Sequence, residues 1–404
     1  MQLSQIDLTN PDNFQAGLPH HWFAQLRREA PVYWHEEQSG PGFWVVTKYD
    51  DLRHISRNPL IFSSASGTNI PSGQGGGQGL PMMLNMDPPQ HVKFRRIVQR
   101  GFTPSRIKLL EPHIRELCTA IIEDVSERGE CEFVSEVAAV LPMQVICELI
   151  GIPEEDRLAV YNLSNELIGF DDPDFRGTQR DPQQAALEMY GHAQRLARER
   201  MKSPKDDLVS KLLTADIDGE KLTEQEFNGF FMLLSVAGNE TTRTMTTHGL
   251  YQLTQHSDQR ARLLEDPSLI PSAVEEILRY EPPVIYFRRT ATQDTEIRGV
   301  KIREGDKVTM WYGSVNRDED VFEDPDVFDV GRKPNDHLAF GIGEHYCLGA
   351  NLARLELIII FEELLRRLPD LELADPTAKP KRLRSNFINA ITELPVTFTP
   401  TRRS

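Results

Sequence analysis

Between residues 223 and 256 the chain runs for more than thirty positions without a proline. Thr223-Glu224-Gln225-Glu226 has the spacing of a capping box, in which a threonine hydroxyl and a glutamate carboxylate satisfy backbone N–H groups that a helix start leaves open. A helix begun there extends on the order of 50 Å, the width of a whole domain, so the remaining elements must pack around it. Its apolar stripe passes through Phe227, Phe230, Leu234 and Ala237, and the next position on that face is Thr241. A hydroxyl therefore interrupts a core-facing stripe. Ala237 and Gly238 thin the helix beside it, which lets a bulky group approach the backbone, and Thr241 can bond back to the Ala237 carbonyl. Taken alone, Glu240-Thr241 is most simply a surface acid next to a back-bonded threonine.

A second dense stretch, residues 340–349, reads Phe-Gly-Ile-Gly-Glu-His-Tyr-Cys-Leu-Gly and leads into an apolar helical run over 348–365. Cys347 thus stands at a helix start, where unpaired N–H groups and the positive end of the helix dipole favour a thiolate, the form that binds metals. Gly341, Gly343 and Gly349 lack a Cβ, so backbone can pass close to a flat group beside the sulfur. His345 makes a His-x-Cys pair too sparse for a zinc site. A lone cysteine is most often inert and buried. The other three, Cys118, Cys131 and Cys147, are too scattered for a disulfide framework, which points to a reducing compartment.

Asp87-Pro88-Pro89-Gln90-His91 opens another helix, with His91 and Arg95 one turn apart on one face. A short helix over 270–280 carries Glu276 and Arg279 at the same kind of spacing, and Glu363 with Arg366 repeats it as an exposed surface pair. Strands are expected at 31–35, 42–49 and 284–287, with hairpin strands over 296–311 and an edge strand at 394–398. From 104 to about 201 the period is helical almost throughout, broken at 151–153 and 170–173, and Asp218-Gly219 makes a turn. The run 67–79, with six glycines in thirteen residues, reads as a surface loop or a lid, since no phosphate-cradle pattern fits it.

The string Phe-Gly-x-Gly-x-His-x-Cys-x-Gly resembles the haem-ligand signature of the cytochrome P450 family. Residues 87–95, Ala-Gly-Asn-Glu-Thr-Thr at 237–242, Glu276 with Arg279, Arg289 and residues 340–349 fall in that family's order, and the likeness covers nearly the whole chain. It implies a mainly α fold with a smaller β part: a triangular helical prism in which haem lies between the long central helix and the helix after Cys347. The whole of 1–404 would be a single domain, its β-rich part drawn from about 31–50, 284–311 and 385–398. The implied cofactor is haem b, with Cys347 on the iron and its thiolate pushing electron density toward O–O cleavage. His91, Arg95, Arg289 and His345 would hold the propionates, while Ala237, Gly238, Phe340, Gly341 and Gly349 lie against the haem. Glu240 and Thr241 would be an acid and an alcohol that relay protons toward dioxygen, and Glu276, Arg279 and Arg332 a structural ion-pair network.

The resemblance implies an oxidoreductase, a monooxygenase that inserts one atom of O₂ into a C–H bond and reduces the other to water. The chain has no flavin or iron-sulfur motif, so electrons are expected from a separate ferredoxin and NAD(P)H-linked reductase, docking near Lys93, Arg96 and Arg100. The stretches at 83–89, 100–104, 237–242, 288–294 and 349–354 are similar to actinobacterial members that hydroxylate the terminal methyl of branched lipids, isoprenoids and cholesterol side chains. The expected substrate lining, Val236, Ala237, Val284, Ile285, Phe287 and Phe387, is apolar. A smaller terpenoid or aromatic substrate, a peroxide-driven enzyme and a non-catalytic haem sensor are the other readings, and the Glu240-Thr241 pair argues against the last two. A net charge of -16 argues against nucleic acid or anionic membrane as partner. Residues 1–14 lack a signal-peptide pattern and no long apolar run follows, so a cytoplasmic protein without a membrane anchor is expected.

Overall fold

The computed structural model describes residues 2–71, 81–169, 172, 182–215 and 221–401, apart from the side chains of Arg100 and Pro182. Most of the glycine run (72–79), the break at 170–173 except residue 172, and the 218–219 turn lie outside the described residues. In chain order the first half forms α1 (His20–Glu29), β1 (Val32–His35), β2 (Phe43–Val46), α2 (Tyr49–Ser56), β3 (Phe62–Ser63), α3 (Gln90–Val98), α4 (Pro104–Ser126), β4 (Glu130–Glu132), α5 (Val140–Ile150), α6 (Glu154–Ile168), α7 (Pro182–Lys202) and α8 (Leu208–Thr214). The second half forms α9 (Glu224–Gln255), α10 (Ser257–Glu265), α11 (Ile270–Tyr280), β5 (Tyr286–Ala291), β6 (Thr295–Ile297), β7 (Val300–Ile302), β8 (Lys307–Trp311), α12 (Tyr312–Val315), α13 (Ala350–Arg367), β9 (Glu372–Leu373), β10 (Lys381–Arg382), β11 (Ile391–Glu393) and β12 (Pro395–Thr397). The architecture is mainly helical with a smaller β part, and among the described residues no single helix is long and apolar enough to cross a membrane.

The long helix is α9, started by the expected capping box: Thr223 N donates to Glu226 Oε2 at 2.8 Å, and Glu226 N to Thr223 Oγ1 at 3.3 Å. It packs against α5, α6, α7, α11 and α13. At Gly249 a Cβ would stand 2.3 Å from the Phe361 ring and 2.8 Å from Ile277, so α13 and α11 cross α9 as closely as they do because that residue has no side chain.

The main sheet has the order β1-β2-β8-β5-β3, antiparallel except for the parallel β2–β8 pair. Along β5 the strand's two-residue period splits the side chains. Phe287 and Arg289 face the internal cavity, whereas Tyr286 packs in the core around Trp311, and Arg288 donates to the Ser66 and Asn69 carbonyls, each at 3.1 Å.

Several expectations need correction. The strand expected at 284–287 starts two residues later and runs on to Ala291; Val284 forms only an isolated bridge with Ile388. Residues 395–397 are not an edge: β12 lies between β4 and β9, with Pro395 at its first position, where a missing N–H is tolerated. Strand β4 and a π-helical turn over Val134–Ala138 interrupt what read as continuous helix. The expected pairing of Glu363 with the exposed Arg366 is present, but the glutamate itself is not at the surface. It is only 5% exposed and accepts from Arg367 Nε at 2.9 Å, with Arg115 of α4 3.5 Å away, so it joins α13 to α4.

The irregular chain between α12 and α13 is held by α11. Glu276, fully buried, accepts from Arg279 Nε at 2.8 Å and Nη2 at 2.7 Å, and from Arg332 Nε at 3.1 Å. Arg279 Nη1 in turn donates to the carbonyls of Asn316 and Pro325 at 3.0 and 2.8 Å. The network expected of Glu276, Arg279 and Arg332 is thus assembled.

His248 of α9 is fully buried, with Nε2 2.6 Å from the Asn389 carbonyl oxygen, and burial drives its pKa down to about 4 against the pull of Glu281. An unfolded chain protonates this ring near pH 6.5 and the folded one does not until about 4, so its contribution to stability is complete above 6.5 and is lost as pH falls between those values. Unfolding free energy measured in urea should therefore decline from about pH 7 to about pH 4, and His248→Asn should flatten part of that decline.

Candidate active site

A cavity opens between α9, α13, α3, β5 and the loop before α13. From α9 it is lined by Leu234, Ala237, Gly238, Thr241 and Thr242, and from the loop and α13 by Phe340, Gly341, His345, Cys347, Gly349 and Glu356. Helix α3 contributes His91 and Arg95, and β5 contributes Phe287 and Arg289, with Val284 just before it. Thr241 Oγ1 donates to the Ala237 carbonyl at 2.9 Å, the back-bond expected from the sequence.

Cys347 N donates to the Phe340 carbonyl at 2.9 Å, which closes the loop and turns the sulfur to the cavity. Gly341 and Gly343 adopt left-handed backbone, with φ of +69° and +78°. Gly343 serves packing rather than a guest, since a Cβ there would lie 2.5 Å from the Ser56 carbonyl oxygen. Gly238 likewise makes room for Ile146 of α5, 2.7 Å from where its Cβ would be, as well as lining the cavity. At Gly349 a Cβ would meet nothing within 4 Å, which leaves that side open to a bulky group. Cys347 is exposed to the cavity, yet the protein packed around that cavity pushes its thiol up, and the N–H of Gly349 with the Arg95 and Arg354 cations offsets this only in part. The helix start alone therefore does not secure the thiolate; a metal cation facing the sulfur would.

Four basic side chains meet at one side of this cavity. The His91 and His345 rings are 4.1 Å apart, with Arg95 and Arg289 beside them. Burial, then neighbouring arginines, drives His91 down to about 4 and His345 down to about 2. Arg289 is buried, with Nη1 on the Arg288 carbonyl at 2.8 Å, and Arg95 donates to the Tyr346 carbonyl at 2.6 Å; neither pairs with a described carboxylate. His91 Nδ1 is buried with no hydrogen-bond partner among the described residues, and the Glu344 carboxylate stands 4.0 Å from it. Desolvated cations without a counter-anion make a site for a ligand's carboxylates.

Other expected site residues lie elsewhere. Val236 packs on the helical core and Ile285 in the core around Trp311; neither lines the cavity. Phe387 stands behind Phe287, ring edge to face at 5.7 Å. Glu240 is 1% exposed and does not line the cavity; its carboxylate is paired with Arg243. The structure also adds residues that the sequence did not single out. Glu356 lines the cavity with Oε2 unpartnered among the described residues, and burial pushes its carboxyl up to about 8. Arg354 clamps Glu275 at 2.7 and 2.9 Å and lies over the Phe340 ring at 4.5 Å, a second tie from α11 to the cysteine loop. The clue to it was a second acid, Glu275, directly before Glu276.

The family model described as Cytochrome P450 matches residues 154–398. A steroid C26-monooxygenase of Rhodococcus jostii is 42% identical over 413 residues, 97% of this chain and 84% of that protein. A methyl-branched lipid omega-hydroxylase of Mycobacterium tuberculosis is 43% identical over 389 residues, 93% of this chain and 90% of that one. The solved structure of a Mycobacterium marinum cytochrome P450 in complex with pseudoionone superimposes with a TM-score of 0.90 at 39% identity, over 98% of each chain. The lining fits the haem that this likeness implies: a cysteine sulfur for iron, an open glycine side for the flat ring, and uncompensated cations for its carboxylates.

In the cofactor-free protein, alkylation of the exposed Cys347 by iodoacetamide should follow a pKa above that of a free cysteine, because desolvation by the protein around the cavity outweighs the nearby cations. Arg95→Ala should raise that pKa further and slow the reaction near neutral pH. A rate in Arg95→Ala equal to the parent's would show that the arginine does not act on the sulfur.

Proposed function

Since the chain belongs to the cytochrome P450 family and is an oxidoreductase of the monooxygenase kind, we propose that it hydroxylates a terminal methyl group of a branched lipid, an isoprenoid or a sterol side chain. The observation that carries this reading is the apolar share of the cavity lining, where Met83, Leu84, Leu233, Leu234, Val284 and Phe287 offer an apolar chain no side-chain hydrogen-bond partner. Relatives named for steroid and methyl-branched lipid substrates support the same class.

In this reading Cys347 ligates the haem iron, and Arg95, Arg289, His91 and His345 take its propionates, relieving the repulsion among them. Haem so held supplies the activation of dioxygen. The protein's part is to exclude water, hold the guest and manage protons. The apolar wall does the first two. Thr241 offers a hydroxyl proton at the cavity surface, and Glu240, one residue before it, resupplies protons from behind. Electrons come from a separate ferredoxin and reductase.

Optical titration of the ferric protein with methyl-branched fatty acids, isoprenoids and sterols should blue-shift the Soret band with at least one of these classes. A band unmoved by all three, but moved by a small terpene or aromatic compound, would replace the lipid reading. Thr241→Ala should divert a large share of NADPH-derived electrons to hydrogen peroxide; unchanged product per NADPH would remove Thr241 from proton delivery.

A further inference from the structure

Residue 312 follows β8 and opens α12, and no short motif marks it. Its backbone N–H donates to the Ile285 carbonyl at 3.0 Å, which carries the pairing of β8 with β5 one step further. In that pairing Met310 lies opposite Phe287, and the two-residue period of a strand returns Tyr312 to the same face. The Tyr312 and Phe287 rings stand edge to face, 6.1 Å apart at 89°, and both residues line the cavity. Trp311, one position back, turns to the other side and packs against Tyr286.

The sheet thus carries the Tyr312 hydroxyl to the cavity, beside Gly341, 3.8 Å from where a Cβ on that glycine would be. No group among the described residues gives it a hydrogen bond, although the residue is buried. A hydroxyl taken out of water and left unbonded costs free energy that a phenylalanine ring in the same place would not. Packing against Phe287 therefore does not account for the choice of tyrosine. Burial pushes the hydroxyl up to about 12, and the Arg289 cation opposes this only in part, so through the neutral range it keeps its proton and meets an anion as a donor.

Arg289 is in the same position. Beyond the bond from Nη1 to the Arg288 carbonyl, its N–H groups have no acceptor among the described residues. Asp87, the carboxylate whose field reaches it, is already engaged by Ser63 Oγ and by Ser64 N, the latter at 2.8 Å. A phenol and a guanidinium, both buried and both free to donate, make a site for one carboxylate between them.

We infer that Tyr312 is a further haem-binding residue: its hydroxyl donates to the cofactor carboxylate that Arg289 pairs with, while Phe287 seats its ring. This rests on the reading of the basic side chains as the place of the haem carboxylates. Phe287 also belongs to the apolar wall, so one ring borders both the guest and a residue that holds the cofactor.

The test is loss of haem from the loaded protein to excess apomyoglobin, followed at the Soret band. No substrate is added, so the lipid reading does not enter. Tyr312→Phe keeps the ring and removes the donor, and should release haem about tenfold faster than the parent, the scale of one hydrogen bond to a charged group. Repeating both measurements with haem dimethyl ester, whose carboxylates are masked, closes a cycle between hydroxyl and cofactor, and the difference between the two proteins should shrink to about twofold or less. Equal loss of haem from both proteins, or a difference undiminished with the ester, would overturn the inference. Cofactor-free Tyr312→Phe should melt no lower than the parent; a lower melting temperature would make the hydroxyl a part of the fold and overturn it too. The ferrous carbonyl spectrum reports Cys347 separately. A thiolate-type band in both proteins with equal rates removes Tyr312 alone, whereas a parent without that band removes the Cys347 reading and leaves the ester cycle to decide on Tyr312.

Discussion

A carboxylate with no access to water governs how this chain can be arranged. Glu276 is fully buried, and a charge placed there costs several kcal/mol unless every lone pair is used. Its oxygens take two bonds from Arg279, two from Arg332, one from Asn335 Nδ2 and one from the Asp329 backbone N–H. Arg279 and Arg332 then spend their remaining N–H groups on carbonyls between residues 316 and 327. A stretch with little regular secondary structure is fixed in this way to a rigid helix. It leads directly into the loop that presents Cys347, so the sulfur's position is inherited from α11.

The cavity shows the opposite electrostatic situation. The protein as a whole carries a net charge of -16, yet at this one place it gathers two arginines and two histidines with no described carboxylate in an ion pair with either arginine. Gathering like charges in a desolvated place disfavours their protonated forms, and the depressed histidines record that cost. An anionic cofactor reverses it, so haem binding and folding are thermodynamically linked here.

What could be read from the sequence was whatever depends on neighbours along the chain. The capping box at Thr223, the bounds of α11, the Thr241 back-bond and the cysteine loop all follow from spacings of a few residues. What could not be read depends on partners far away. Strand β4 exists because β12, more than 260 residues later, pairs with it, and Glu363 is buried because α4 crosses over it. Gly343 was read as room for a guest, but the Ser56 carbonyl occupies that room from another part of the chain. Ile285 and Val236 were placed in the lining because they are apolar and close in sequence to residues that do line it. Which way an apolar side chain turns is decided by the packing of whole elements, and hydrophobicity carries no sign for that. The same limit applied to Glu240: Arg243 stands only three residues on, but that the two turn together into the core, with Tyr161 and Asn165 of α6 on the arginine, depends on a distant helix.

The bond from Thr241 to the Ala237 carbonyl makes the helix backbone a competitor for this hydroxyl's only proton. A bond of this kind is worth about 1 kcal/mol net, so turning the hydroxyl from helix to cavity costs little. A bend of α9 that lengthened the contact by about a few tenths of an ångström would lower that cost further. The reactivity of the cavity surface is in this sense a property of the curvature of the longest helix in the molecule, and a change far along α9 can alter it without touching the site.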